Sequence, residues 1–348
     1  MTWDIALILA EDGILTGAIY ALLALASVLV FATTRIIFVP QGEFVTFGAL
    51  TLAAFQLGQT PNIIYLVGLL AAIVCVMDGV ALVRARRVHR LPHMLVVNAL
   101  LPALVIAAAI YFGPRKPAAL IQILLTVALI VPLGPFVYRI AFQPVANASV
   151  RLLFVIAIAV HFVLQGAGLL SFGPEGFRVD PLIDGQLTFG TMTVSSQALL
   201  IVGTGIAFAI LLYLLFEFTV LGKALRATAV NRLGARIVGI SYPMVGKLCL
   251  ALAALIGVIS GILAGGLTTI YYDSGFIIGL KAFVAAVVGG IGNVRGAALG
   301  AVMIAGVEQF GAAYFSTKLQ DVYVFLILIA VLLVKPSGLL GRAVTEKV

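Results

Sequence analysis

Apolar stretches long enough to cross a bilayer recur along this whole chain, and they constrain its fold more than any single motif does. They lie at about 13–31, 44–58, 63–83, 91–112, 118–138, 152–170, 194–218, 247–270, 276–290, 297–314 and 322–334. Roughly 18 or more apolar residues suffice to span the hydrocarbon as a helix. Backbone donors and acceptors in lipid must be satisfied internally, which makes these segments helices. Runs such as Ile121 to Val131 lack the alternation of a membrane barrel. A large soluble core does not explain the pattern. Hydrophobic residues make up 63% of the 348 and charged residues 10%, whereas a soluble domain carries about a quarter charged residues to cover its surface. The expected fold is all-α: a polytopic transmembrane helix bundle of about 11 spans (9–11), forming one domain over 1–348.

Charge then orients the bundle. The net charge of +8 does not form one basic patch, which argues against nucleic acid as a partner. The bases sit in short loops, as expected for residues that orient a chain and meet anionic headgroups. One set of alternate loops holds Arg35; Arg84, Arg86, Arg87 and Arg90; Arg139 and Arg151; Lys223, Arg226, Arg232, Arg236 and Lys247; Arg295; and Lys335, Arg342 and Lys347, 16 of the 21. The opposite loops hold Arg115, Lys116, Arg178 and Lys318, and Lys281 lies inside a span. The first set is therefore cytoplasmic, with the N-terminus outside and the C-terminus inside. Asp4, Glu11 and Asp12, with no early Lys or Arg, are unlike a cleaved signal peptide, so the first span is expected to stay. Cys75 and Cys249 lie in apolar segments and read as packing residues.

Two spans are short. The segments 44–58 and 276–290 are entered through glycine and polar residues, PQGEF (40–44) and DSGFIIGLKAF (273–283). Broken spans in separate halves of a membrane protein point to a substrate pathway, because unwound backbone at that depth must line a protected cavity. Gly257, Gly261 and Gly265, and again Gly292, Gly296 and Gly300, recur every four residues and allow close helix contact, within the bundle or between subunits. Asp78, Lys281 and Glu308 lie within spans and should face protein or water. Lys281 is the pathway candidate, with snorkelling to an interface as its alternative. Glu308 is expected to pair with a neighbouring helix, and Asp78 with the basic loop at 84–90. Glu43 is expected at the membrane boundary, capping the helix that starts near Phe44. His161, alone in an apolar span, suits a hydrogen bond between helices. His89 and His93 have i, i+4 spacing but Pro92 intervenes and no third ligand is near, so no metal site is expected.

Two loops are long. The segment 171–193 is external and rich in Gly, Pro and acids. The cytoplasmic segment 219–246 contains GKALRATAVNRLGARIVGI (222–240), where Lys223 and Arg226, and then Arg232 and Arg236, can share helix faces. A basic helix resting on lipid and a helix docked on a cytoplasmic partner both fit it. No GxxxxGK[ST] phosphate loop occurs, and GGIGNVRG (289–296) lacks the lysine and hydroxyl that hold phosphate and magnesium. Nucleotide, if it drives this protein, binds a separate subunit.

RIIFVPQGEFVTFGA (35–49), VYRIAFQPV (137–145), RATAVNRLGARIVGI (226–240), GLKAFVAAVVGGIGNVRGAALGAVMIAGVE (279–308) and KPSGLLGR (335–342) together resemble the permease subunits of bacterial branched-chain amino acid ABC transporters, a family that includes urea and amide permeases. The resemblance covers most of the chain outside about 75–130. It implies that Ala227, Ala229, Asn231, Ala235, Gly239 and Ile240, with the basic residues Lys223, Arg226, Arg232 and Arg236, form a coupling helix docked on an ATPase. It places Gln41, Gly42, Glu43, Lys281, Phe283, Gly289, Gly290 and Gly292 around the translocation core. The implied assembly has a second related permease subunit, two cytoplasmic ATPase subunits that bind the ATP, and an extracytoplasmic solute-binding protein, in the bacterial inner membrane. This chain itself would hold no cofactor. Phe38, Val39 and Pro40 replace the family's Asn-Phe-Ala stretch, and Pro40 restricts the turn there. The region 75–117 reads as an additional helical hairpin. An ion-coupled secondary transporter using Asp78, Lys281 and Glu308, and a purely structural subunit, remain as alternatives. Nothing in the residues separates leucine-like substrates from urea or small amides.

Overall fold

The computed structural model describes residues 3–183, 185–189, 192–290 and 292–341; Arg342 and Lys347, counted above for orientation, lie outside them. The helices are α1 (Trp3–Thr34), α2 (Gln41–Gln56), α3 (Ile63–Arg84), α4 (Val88–Arg115), α5 (Ala119–Val145), α6 (Val150–Phe172), α7 (Ser196–Phe218), α8 (Val220–Val230), α9 (Arg232–Ile237), α10 (Tyr242–Leu267), α11 (Ser274–Gly289), α12 (Val294–Tyr314) and α13 (Gln320–Val334). A small hairpin, β1 (Gln186–Phe189) against β2 (Met192–Ser195), lies in the long loop before α7. Pro92 and Pro102 flank a π-helical stretch, Val96–Leu100, in α4, and a second, Tyr138–Phe142, follows Pro132 and Pro135 in α5. Proline removes a ladder hydrogen bond, and the wider turn absorbs the mismatch.

Every expected span falls on one of these helices, with ends displaced by a few residues; the largest shift is at α1, which starts at Trp3. Among the described residues, nine helices are long and apolar enough to cross a membrane, α13 by continuing from the 3₁₀ turn Thr317–Leu319 that leads into it. The other two, α2 and α11, have 16 residues each. At about 1.5 Å per residue they fall short of a hydrocarbon core of about 30 Å.

Burial sorts the bundle into a centre and a rim. α2 is wrapped on all sides, with Phe44, Phe47, Leu50, Leu52 and Phe55 almost fully buried. It packs on α10 and α11, and α1 packs on α10, α11 and α12. The glycine series explain the closeness. Gly257, Gly261 and Gly265 of α10 face Phe44, Val45 and Ala49 of α2, while Gly296 and Gly300 of α12 abut Gly289 and Ala285 of α11. The first stripe and the Gly296–Gly300 part of the second thus serve contacts inside the chain, whereas Gly292 precedes α12 and has nothing within 4 Å of its Cβ position. α3, α4, α7 and α13 form the rim and expose apolar side chains such as Tyr65, Leu104, Ile206 and Leu333, the pattern of a surface that lipid or another apolar subunit covers. α3 pairs along its length with α4, Gly68 near Ile106 and Gly79 near Met94, so the antiparallel pair begins earlier in α3 than the expected 75–117 hairpin.

Candidate functional site: two half-helices meeting inside the bundle

The end of α1 is level with the start of α10: the Tyr242 hydroxyl donates to the Thr34 carbonyl at 3.4 Å. Residues 35–40 then leave helical geometry, and at the first residue of α2 the Gln41 Nε2 donates to the Ala253 carbonyl at 2.9 Å, near the middle of α10. Unwound backbone therefore covers the first half of this crossing. α2 covers the second, following α10 until Gln56 exchanges hydrogen bonds with the Asp180 backbone. The same motif runs in reverse after α10. Residues 268–273 turn back inward, with Ile270 pairing to Phe177, and α11 starts at Ser274 and ends beside Leu339 and Leu340. The two short helices point their N-termini at one another at mid-depth.

Glycine makes the meeting possible. A Cβ on Gly42 would collide with the Gly275 carbonyl, one on Gly275 with the Gly42 carbonyl and Thr46 Oγ1, and one on Gly279 would lie 2.9 Å from Gly42 Cα. Pro40 occupies the N-cap of α2, where its missing N–H costs nothing. It has no side-chain group that could cap the helix.

Glu43 lies in the first turn of α2, fully buried, so it is neither at a boundary nor a cap. Its Oε1 is 2.9 Å from Nδ1 of His161 on α6, the contact between helices expected for that histidine. His161 stacks on Phe276 at 4.5 Å between ring centres. The approach of Glu43 to His161 is close but not aligned as a hydrogen bond: Glu43 Oε1 and Oε2, His161 Nδ1, Gln41 Oε1 and Thr46 Oγ1 are all buried without hydrogen-bond partners among the described residues. Beside this cluster, between α6, α11 and segment 35–40, is a cavity of about 240 Å³ whose walls include Phe38, Phe154, His161, Phe276 and Phe283. Two helix N-termini aim their positive ends at this point.

The other expected pathway residues lie elsewhere. Lys281 is buried on the far face of α11, with Nζ 2.6 Å from Glu308 and 2.6 Å from Asp321. Glu308 also accepts from Tyr20 at 2.9 Å and Gln320 at 2.7 Å. Gly289 and Gly290 pack at the opposite end of α11 against Gly296 and Gly341, and Gly292 forms the following turn. Asp78 reaches Arg139 at 2.5 Å, Lys247 at 3.6 Å and Asn98 at 3.2 Å, not the 84–90 loop, because its side chain faces α4, α5 and α10. Sequence reasoning brought Gln41, Gly42, Glu43 and Phe283 to the site. It missed Gly275 and Gly279, whose signal was their four-residue spacing in DSGFIIGL, and it did not join His161 to Glu43.

The segment expected on the cytoplasmic side is two short helices, not one over 222–240. Asn231 is extended (φ −149°, ψ 102°), and its side chain accepts from the Gly234 N–H, which starts α9. A short polar side chain that can cap a new helix ends the old one. Leu225, Thr228 and Ala235 anchor the pair, while Val230, Leu233, Ile237 and Val238 are 69–88% exposed. Lys223, Ala227, Ala229 and Arg236 are exposed, Ile240 is partly covered, and Gly239 takes φ +87° in the turn that follows α9. Arg226 pairs with Glu217 at 2.7 Å, and Arg232 lies 5.1 Å over the Tyr242 ring.

Half-helices meeting around a cavity inside a polytopic bundle are the architecture of a membrane transport protein. The family model for the permease component of branched-chain amino acid transport systems matches residues 9–332, and the chain belongs to that family, as a multi-pass protein of the cytoplasmic membrane. It is 34% identical over 224 residues to the high-affinity branched-chain amino acid transport system permease protein LivH of Escherichia coli (strain K12), covering 62% of this chain and 72% of LivH. The corresponding protein BraD of Pseudomonas aeruginosa is 31% identical over 222 residues, with the same shares covered. A solved structure, PsaBC from Streptococcus pneumoniae in complex with Fab, aligns over 94% of this chain and 92% of its own at 13% identity, and its TM-score of 0.41 is too low to carry an argument.

Proposed function

We propose that this chain is the permease subunit of an ATP-driven importer for branched-chain or related amino acids, and that solute passes where α2 and α11 meet. The observation that carries the reading is the pair of broken crossings with unwound backbone at mid-depth. Such backbone persists in a bilayer only where it lines a protected cavity. The exposed wall formed by Phe154 and Phe162 of α6 is the side that a second permease subunit would close. An external solute-binding protein would deliver solute to the opposite end from α8 and α9.

Energy enters through α8 and α9, gripped by cytoplasmic ATPase subunits that hold the ATP. Val230, Leu233 and Ile237 supply exposed apolar contacts, and Lys223 and Arg236 supply charge at their edge. Aromatic or aliphatic anchors inside a polar rim are the usual anatomy of such contacts. An ion-coupled carrier would draw on Asp78, Lys281 and Glu308, yet each has an oppositely charged partner within the bundle. Ile237→Glu combined with Arg236→Glu should insert normally and reduce ATP-dependent uptake at least tenfold, measured as labelled leucine accumulated by the reconstituted transporter. Unchanged uptake would remove the coupling role.

A further inference from the structure

The cavity beside the half-helices has one chemical asymmetry. Among the described residues that line it, His161 alone has a polar side chain. Ile158, Phe38, Phe276 and Phe283 would offer nothing to replace the hydration of a sugar or a metal ion. They suit a branched aliphatic group. His161 does not float in this wall. Its Nδ1 lies 2.9 Å from Oε1 of Glu43, a carboxylate with no exposure and no role at a helix cap. With the Nδ1 edge turned to Glu43, Nε2 is the opposite edge of an imidazole that lines the cavity.

Resting on the permease reading above, we propose that this cavity is a binding station for an apolar amino acid in transit, where His161 holds the substrate carboxylate and Glu43 positions His161. Glu43 and His161 with one proton between them carry no net charge whichever of the two holds it, so a zwitterionic amino acid enters without adding net charge to a buried site. The Nε2–H then donates to the carboxylate. The positive ends of α2 and α11 favour the same end of the substrate. The aliphatic side chain lies among the phenylalanine rings, and unwound carbonyls of segment 35–40 are acceptors for the ammonium group. Cavity size and apolar walls set the preference for the side chain, and His161 sets the preference for a free carboxylate.

The purified full-length chain in detergent tests this without its partners, because a ligand that binds the folded state raises its unfolding temperature by an amount that grows with the logarithm of its concentration above Kd. Leucine should raise it with dose. Leucinol, which lacks the carboxylate, and glycine, which lacks the side chain, should not. His161→Gln, which keeps a donor, should retain a leucine response, and His161→Leu should need at least about tenfold more leucine for the same shift, as the loss of one charge-assisted hydrogen bond implies. The double variant Glu43→Leu/His161→Leu guards against a folding defect by removing both buried polar groups. It should melt as a folded protein and need at least as much extra leucine as His161→Leu does. A double variant that responds to leucine at wild-type concentrations, an equal response to leucinol, or no response in the wild type would overturn the proposal. Failure of the permease reading shows separately, as absence of ATP-dependent uptake by the wild-type chain assembled with its ATPases.

Discussion

Lys281 illustrates how a single residue can be prominent in the sequence and still stand off the path. A lysine inside a short apolar span suggests transport chemistry, but the side chain leaves α11 on the face away from Gly42 and ends between Glu308 and Asp321. It ties α11 to α12 and α13. Removing one member of a buried pair leaves the other charge without compensation and costs about 3–5 kcal/mol. Lys281→Met should therefore lower the thermal stability of the purified protein markedly, and Glu308→Leu added to it should recover much of the loss. If Lys281→Met melts like the wild type while uptake disappears, the lysine belongs to the pathway after all. Glu43 teaches the converse lesson. Its position at a helix start suggested a cap, and only the fold places it against a histidine 118 positions later.

Among the elements, the short spans were legible because length, flanking polarity and glycine all mark them. What the sequence did not carry was where their N-termini go, since that depends on the return path of 35–40 and 268–273 through the bundle. The break at Asn231 was written more plainly, as a capping residue amid helix formers, but the basic spacing across 222–240 pointed to one continuous helix. The hairpin Gln186–Ser195 was likewise absorbed into a loop rich in glycine and acids. The α2–α11 contact gives a direct test. Gly275→Ala places a methyl group against the Gly42 carbonyl and Thr46, where backbone and a buried side chain cannot both yield. It should abolish uptake and destabilise the fold by about 1–3 kcal/mol, in the range of core overpacking. Gly306→Ala, on α12 with open space at its Cβ, is the matched control and should leave the melting temperature unchanged. Equal melting of the two variants would show that the half-helices do not meet this closely.

The whole molecule places its chemistry along one axis. The loops at 57–62, 113–118 and 173–185 gather at one end, linked by Gly58 with Lys116, Gly113 with Thr60 and Gln56 with Asp180. The arginine-rich turn at 84–90, the pair α8 and α9, and the segment 335–341 close the other. That division follows the loop charges, which is why sidedness could be proposed from composition while side-chain partners could not. The proposed function puts a pathway at the centre of this design and a docking surface at the end that carries α8 and α9, with energy supplied by hydrolysis on another polypeptide. Proteoliposomes containing the purified chain test that claim most directly, with labelled leucine outside and first a sodium or proton gradient alone. The account predicts no accumulation until the ATPase subunits, the solute-binding protein and ATP are supplied together. Accumulation driven by the gradient, with this chain as the sole protein present, would contradict it.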